Sequence, residues 1–457
     1  KNKEELRVKH FVKQGLAVLL CVLMLAALSG CGDSGTGSGT TSATEPEPTV
    51  TMAPIDNVES KLPKAELSNK VVKVMTNATS LPTQVETLFQ EQYGGTIEIV
   101  TVAYDEIPTK LATSVAGDTA PDMVLNRGPI DFFPYLTKNL IQSVDDYVDF
   151  NHSVFSNIKP VLDAYIIDGK QYIIPTGLRT TTAVFFNQKM FDDAALEDPW
   201  TQYKKGTWDW DTFKAAAKAL TQDVDDDGAN DVFGVMLQRT HCLIYTSGKA
   251  YGSITPEKVF VNNIGSAAMA RVNHWIYDLF YTDKIGSPDV STYGYMFKNE
   301  KTAMLVGDEN VYYMPEVKSI AAKGNLGIAP LPKDPETDAY YGCGEFSSWV
   351  IPKNAANPQG AGALCAVIAL VNKDETAENN SWAEIQAKCK LTDKNIEQLR
   401  EVFAIQKPVI DMGTQLGADT TYRMVVNGTS WEKQLEEDAP TVQEFIDNNF
   451  TGEEKTK

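Results

Sequence analysis

From Val71 onward, short apolar segments with the two-residue period of strands alternate with longer segments carrying the 3.6-residue period of helices. Val71 to Met75 reads as a strand, and Leu81 to Gln92 as a helix whose apolar face is Val85, Leu88 and Phe89. Thr96 to Val102 is again a strand, Tyr104 to Val115 a helix and Asp122 to Leu125 a short strand. Tyr172 to Ile174 and Ala183 to Phe186 continue the strands, and Asp211 to Thr221 (DTFKAAAKALT) is a further helix. Asn357 to Val371 and Pro440 to Asn448 are read as helices too, the latter with Pro440 at a tolerated first position. This alternation predicts an α/β fold with a largely parallel sheet, because parallel neighbours need the long crossovers that helices supply. The sequence shows no internal repeat, which argues against a solenoid or propeller.

The pattern starts late because the first 66 residues are a different material. Residues 1–13 carry five basic and two acidic residues, and Gln14 to Gly32 carries no charge. A basic start, an apolar run and small residues before a cut form a secretory signal. Leu28-Ser29-Gly30-Cys31 resembles the bacterial lipobox, in which cleavage precedes a cysteine that receives diacylglycerol on sulfur. Residues 1–30 are therefore expected to be a lipoprotein signal peptide and Cys31 the lipidation site, with two acyl chains giving stable anchoring. Residues 31–66, rich in Ser, Thr, Gly and Pro, are expected to be a flexible tether.

The whole chain of 457 residues has a net charge of −20, and loss of residues 1–30 would leave −23. That charge argues against nucleic acid as a partner. Cys242, Cys343, Cys365 and Cys389 remain after the anchor, too few for a disulfide framework. Cys365, inside the apolar run Ala361 to Leu370, is expected to be a buried free thiol.

Six stretches, in order, resemble the extracellular solute-binding proteins of bacterial ABC transporters, in particular the carbohydrate-binding family that includes maltose-binding protein. They are Ala120-Pro121-Asp122-Met123-Val124; Gly169 to Pro175 with Phe185 to Lys189; Gly206-Thr207-Trp208-Asp209-Trp210-Asp211-Thr212-Phe213; Phe297 to Leu305; Gly327 to Pro332; and Trp431 to Ile446. The resemblance implies a two-lobed, periplasmic-binding-protein-like (type II) α/β fold with three hinge crossings and ligand bound between the lobes. It places the crossings near Thr176–Thr180, Tyr341–Phe346 and Gln406–Thr414. Residues 67–178 plus 346–405 are then lobe 1, and 179–345 plus 406–450 lobe 2. The function implied is capture of a small solute, a sugar or oligosaccharide, for delivery to ABC permease subunits. The protein would be a monomer, lipid-anchored on the outer face of the cell membrane of a Gram-positive-type bacterium.

Candidate ligand contacts are residues that follow strands or lie at the crossings. Asn77 follows the first strand, and Asn126 and Arg127 follow Asp122–Leu125; amide and guanidinium groups suit polyol hydroxyls, and Arg127 also an anion. Arg179 lies at the first crossing, and Glu345, Phe346 and Trp349 lie at or just beyond the second. Tyr245 and Tyr251 are further aromatic candidates, whereas Trp208 and Trp210, just before a helix, are read as core. The family often carries Gly-x-Trp after its Ala-Met pair, but here Gly307 is followed by Asp308-Glu309-Asn310. Asp308 or Glu309 would then bond sugar hydroxyls or meet a cationic group.

Asp223, Asp225, Asp227 and Asp231, with Gly228 at the turn, match the first half of an EF-hand-like calcium loop. Gly234 stands where the bidentate Glu belongs, so the loop is either a structural calcium site or a solvated acidic turn. No cofactor is required. The four histidines have no metal-ligand spacing, and neither a Walker A loop nor a nucleophile elbow is present. A non-enzymatic receptor is expected; the alternatives are a lipid-anchored glycoside hydrolase and a two-lobed sensor without transport.

Overall fold

The computed structural model describes residues 52–254 and 260–449. The expected signal peptide, Cys31 and most of the expected tether lie outside the described residues. No described helix is long and apolar enough to cross a membrane.

Two sheets organise the chain. The first uses β1 (Val71–Thr76), β2 (Thr96–Thr101), β3 (Met123–Asn126) and β4 (Ile174–Thr180). The second uses β5 (Ala183–Asn187), β6 (Phe233–Leu237), β7 (Thr302–Gly307) and β8 (Leu326–Ala329). The chain then returns to the first sheet with β9 (Tyr341–Val350) and β10 (Lys407–Val409). Strand order is β10-β9-β3-β1-β2 in the first, with β4 also on β9, and β8-β5-β7-β6 in the second. β1 is parallel to β2 and β3, and β6 to β7, while β9 is antiparallel to β3 and β4.

Both sheets are covered on both faces, and the residue alternation shows it. Along β5, Ala183 and Phe185 enter one apolar cluster while Val184 and Phe186 enter another. In the first sheet, Val74 and Met75 divide in the same way. Helices on these faces start where local chemistry allows. Asp209 and Thr212 form a reciprocal capping box that opens helix Trp210–Ala219, and Asn357 accepts from the Gly360 N–H ahead of Pro358–Val371. Trp208 and Trp210 are core residues as read: the Trp208 indole donates to the Pro330 carbonyl at 2.8 Å, and Trp210 stacks on Trp275 at 4.3 Å. Cys365 is buried and free, its thiol pushed up by burial.

The chain leaves the first sheet after β4 and returns to it in β9. Strand β9 pairs with three strands of the first sheet along its length: Ser348–Val350 with β3, Gly344–Trp349 with β4, and Tyr341–Cys343 with β10. Gly342 and Gly344 permit this closeness. A Cβ on Gly344 would lie 2.9 Å from Pro408 Cβ and 3.0 Å from the Val409 carbonyl oxygen.

Three expectations need correction. Residues 346–405 do not all belong to lobe 1: Ala377 packs with the first sheet, but Trp382, Cys389, Ile396, Leu399 and Val402 pack with Phe185, Leu305 and Ile328 of the second. Helix Glu375–Cys389 therefore carries the chain across, ahead of the expected third crossing. Residues 407–412 then return to the crossing ribbon, with Met412 in the lobe 1 core. The tether is also shorter than 31–66, because Ile55, Val58 and Leu62 are buried in lobe 1. Ala53 exchanges hydrogen bonds with the Asn380 side chain, Lys61 pairs with Asp374 at 2.6 Å, and Tyr93 donates to the Pro63 carbonyl. Lastly, Pro440 lies inside helix Trp431–Asn449, which begins nine residues earlier, anchored by buried Trp431.

Candidate functional site

Parallel strands β6 and β7 end on the same edge of the second sheet, and the residues that follow them are charged. Asp308 and Glu309 follow β7 directly; Arg239 stands two residues beyond β6. Gly307 allows the chain to turn there, since a Cβ would strike Gln238 Oε1 and Val311. Arg239 forms an ion pair with Asp308, whose other oxygen accepts the Asn310 N–H at 3.0 Å.

The crossing strands bring the second half. Arg179 on β4 and Glu345 on β9 are register partners, so their side chains stand side by side. Arg179 reaches lobe 2 and donates to Glu309 Oε1 at 2.8 Å. The Arg179 side chain is 54% exposed, and burial lowers its pKa. Against that burial, Glu309, Tyr312, Glu345 and Tyr313 together hold its pKa above the usual value. Glu309 is only 8% exposed and is pushed up to about 7, by burial first, with Arg179 opposing and Glu345 and Asp308 adding. Glu345 is raised by burial and Asp308, against Arg179 and Arg239. His241, beside Arg239, is pushed down to about 3 by burial and that guanidinium, which keeps it neutral.

Tyr313 is 39% exposed, its ring centre lies 4.8 Å from that of buried Tyr312, and it is within electrostatic reach of Glu309 and Arg179. An exposed aromatic face beside ion-paired hydrogen-bonding groups is what a sugar ring needs, C–H groups on the face and hydroxyls at the edge.

Lobe 1 contributes less than expected. Asn77 is half-buried at the end of β1, with no side-chain hydrogen bond to the described residues. Asn126 is buried; its amide donates to Ser348 Oγ at 2.9 Å, and its Oδ1 has no partner among the described residues. Phe346 packs edge-on against Tyr165 at 5.6 Å and stays partly buried. Arg127 is committed elsewhere: it makes two 2.7 Å contacts to buried Asp131, another to the Tyr104 carbonyl, and stacks on the Tyr104 ring. Its ion pair is structural. Trp349 is in the lobe 1 core, and Tyr245 is fully buried with its hydroxyl donating to Asp411 at 3.1 Å. Tyr251 is likewise buried, paired with Thr421.

The sequence reading overlooked Arg239 and Tyr313. Arg239 obeys the same rule that found Asn77, a polar residue just past a strand, but Phe233–Leu237 had not been read as a strand. Tyr313 stands six residues after Gly307, close to where the family's stacking residue was sought.

The acidic loop is separate from this cleft. Oxygens of Asp223, Asp225 and Asp227 converge within 4.8 Å, and a bridge between Gln222 and Val232 closes the loop base. Asp223 accepts from the Asp227 and Gly228 N–H groups. Asp231 instead accepts the Val224 N–H at 2.9 Å and is not part of the convergent group.

No curated protein matches the chain. Solved structures do match its fold. A cyclo/maltodextrin-binding protein complexed with maltotetraose superposes with a TM-score of 0.61 at 18% identity, covering 84% of this chain and 99% of that one. An ABC substrate-binding protein from Listeria monocytogenes, in complex with cycloalternan, gives 0.57 at 18%, covering 83% and 99%. UspC from M. tuberculosis gives 0.61 at 15%, covering 82% and 100%. These likenesses agree with the two-lobed type II architecture. Residues 87–387, well over half of the chain, match the family model of the bacterial extracellular solute-binding proteins, and the chain belongs to that family.

Proposed function

We propose that this chain is a lipid-anchored receptor on the outer face of the cell membrane that captures a sugar or oligosaccharide between its lobes and delivers it to an ABC permease. Cys31 would carry the anchor, and the segment ahead of Ala53 would act as the tether. The observation that carries the reading is the meeting of crossing strands β4 and β9 with the edge of the second sheet. Arg179, Glu345, Asp308, Glu309 and Arg239 converge there beside the exposed face of Tyr313. Such a wall can orient a polyol by directional hydrogen bonds while an aromatic face takes its apolar side. From lobe 1, Asn77, the open acceptor of Asn126 and Phe346 would complete the contacts as the lobes close. The solved complexes with maltotetraose and cycloalternan support a saccharide as the solute.

The role is binding without turnover. A thermal-shift screen of the purified protein over mono- and oligosaccharides, polyols, uronic acids and short peptides should give its largest stabilisation with a saccharide. A bound ligand at about 100 times its Kd adds roughly 2.7 kcal/mol, several degrees in midpoint. Stabilisation by peptides alone would overturn the sugar reading, and release of shorter products from an oligosaccharide would make the protein a hydrolase.

A further inference from the structure

Helix Glu375–Cys389 takes part in both cores. It follows helix Pro358–Val371, which is buried in the first-sheet core, after a joint of only residues 372–374. Ala377 packs in that same core, but Trp382 and Cys389 pack with Phe185 and Ile328 of the second sheet. A helix is a stiff rod rising about 1.5 Å per residue, so a change of angle between the cores falls on its ends, and the short joint is one of them.

The chain's earlier residues fasten that joint from outside. Asp374 opens the helix by accepting the Thr376 N–H at 2.9 Å, and it also takes Lys61 Nζ at 2.6 Å. Farther along the helix, Asn380 Oδ1 accepts the Ala53 N–H at 2.9 Å, and the Asn380 amide donates to the Ala53 carbonyl at 2.8 Å. One buried side chain thus satisfies both backbone groups of Ala53, as a neighbouring strand would. Between the two ties Ile55 and Val58 are buried in the first-sheet core, and Leu62 is buried there just beyond them. Those three apolar side chains suffice to hold the segment on lobe 1. The bonds to Asp374 and Asn380 are additional, and they reach the helix that continues into the other core.

We propose that residues 53–61 are a clamp across the joint, and that the clamp limits how far the lobes open. With one side fixed in the first-sheet core and the other on helix Glu375–Cys389, the ties narrow the range of tilts open to the helix and so the range of lobe angles. Fewer lobe angles to lose on closing means less conformational entropy opposing ligand capture, whatever the ligand. The chain ahead of Ala53, proposed above as the tether, then meets the body at the joint between the lobes.

The test needs no ligand. Nitroxides on non-natural keto residues replace exposed Glu91, on the helix Thr83–Tyr93 of the first-sheet core, and exposed Lys323, just beyond helix Pro315–Ala321 of the second. Pulsed electron paramagnetic resonance then gives the distribution of distances between the lobes. Asn380→Ala, which removes both bonds to Ala53, should broaden that distribution by at least about half. Lys61→Met should broaden it less, since it cuts one tie at a partly exposed side chain. Val85→Ala, a cavity in the first-sheet core outside the clamp, should lower stability and leave the width as in the wild type. Wild-type width in folded Asn380→Ala would overturn the clamp, and so would equal broadening in Val85→Ala, which would mean general softening. Should Asn380→Ala fail to fold, Lys61→Met decides: a broader distribution upholds the clamp and an unchanged one removes it.

Discussion

Glu309 shows how much one side chain's meaning depends on neighbours far along the chain. Its position after β7 is local and could be read; its pairing with Arg179 joins residues 130 apart and could not. Arg127 is the opposite case. Asp131, four residues on, was legible as a partner, and the structural pair is what the chain makes. Tyr245 and Tyr251 pass for cleft aromatics because nothing local reveals that residues 411–421 would cover them. Glu309 has a measurable consequence. Its carboxyl titrates at about 7 in the folded chain, above the unfolded value, so the folded state holds that proton more tightly. The stability this contributes is full below about pH 4.5 and is lost as pH rises through about 7. Glu309→Gln keeps an acceptor for Arg179 and has no proton to lose. Between pH 4.5 and 7.5 the wild type should lose on the order of 3 kcal/mol of unfolding free energy relative to this variant, measured in urea. A difference that stays flat with pH would show that the ion pair already keeps the carboxylate charged at the lower pH.

At the scale of elements, strands and capped helices were the most legible parts, because period and capping are local properties. β1, β2, β3, β5 and helix Trp210–Ala219 fall within a residue or two of their expected ranges. Elements whose identity depends on tertiary partners were misread. Ile55, Val58 and Leu62 are spaced to face one side, but their surroundings are so polar that they pass for tether. Only the lobe 1 core gives them somewhere to go. Leu62→Ala should therefore cost about 2–4 kcal/mol of stability, as for a core leucine, where a tether residue would cost almost nothing. Urea unfolding of the variant decides between them. The acidic loop carries a second expectation at this scale. Three converging carboxylates and no Glu at the last position suit a weak site, with a Kd of about 1 mM. At 10 mM calcium, bound metal should then add roughly 1.4 kcal/mol, reversed by chelation and abolished in Asp225→Asn. Equal midpoints with and without calcium would leave the loop a solvated acidic turn.

For the whole molecule, the decisive feature is how little backbone joins the lobes. The connection through helix Glu375–Cys389 was not legible in the sequence. Its passage from one core to the other is visible only in which side chains each half buries. The ribbon of β4, β9 and β10 is a place where Gly342 and Gly344 let three strands lie close, and bending there is the expectation tested below. Arg179 and Glu345 sit on that ribbon, so a ligand held as proposed by them and by lobe 1 would act directly on the opening angle. A compact body of about 390 residues has a radius of gyration of roughly 21 Å, and an open two-lobed form exceeds it. Saturating ligand should lower the value measured by solution X-ray scattering by on the order of 1 Å, as hinge closure requires. Gly344→Val should blunt this compaction and weaken binding, because its side chain would strike Pro408 and the Val409 carbonyl and force the crossing strands apart. Each lobe keeps its own core in that variant, so its secondary structure should be unchanged by circular dichroism. Full compaction in Gly344→Val would mean that the bending lies in helix Glu375–Cys389 rather than in the glycine-flanked ribbon.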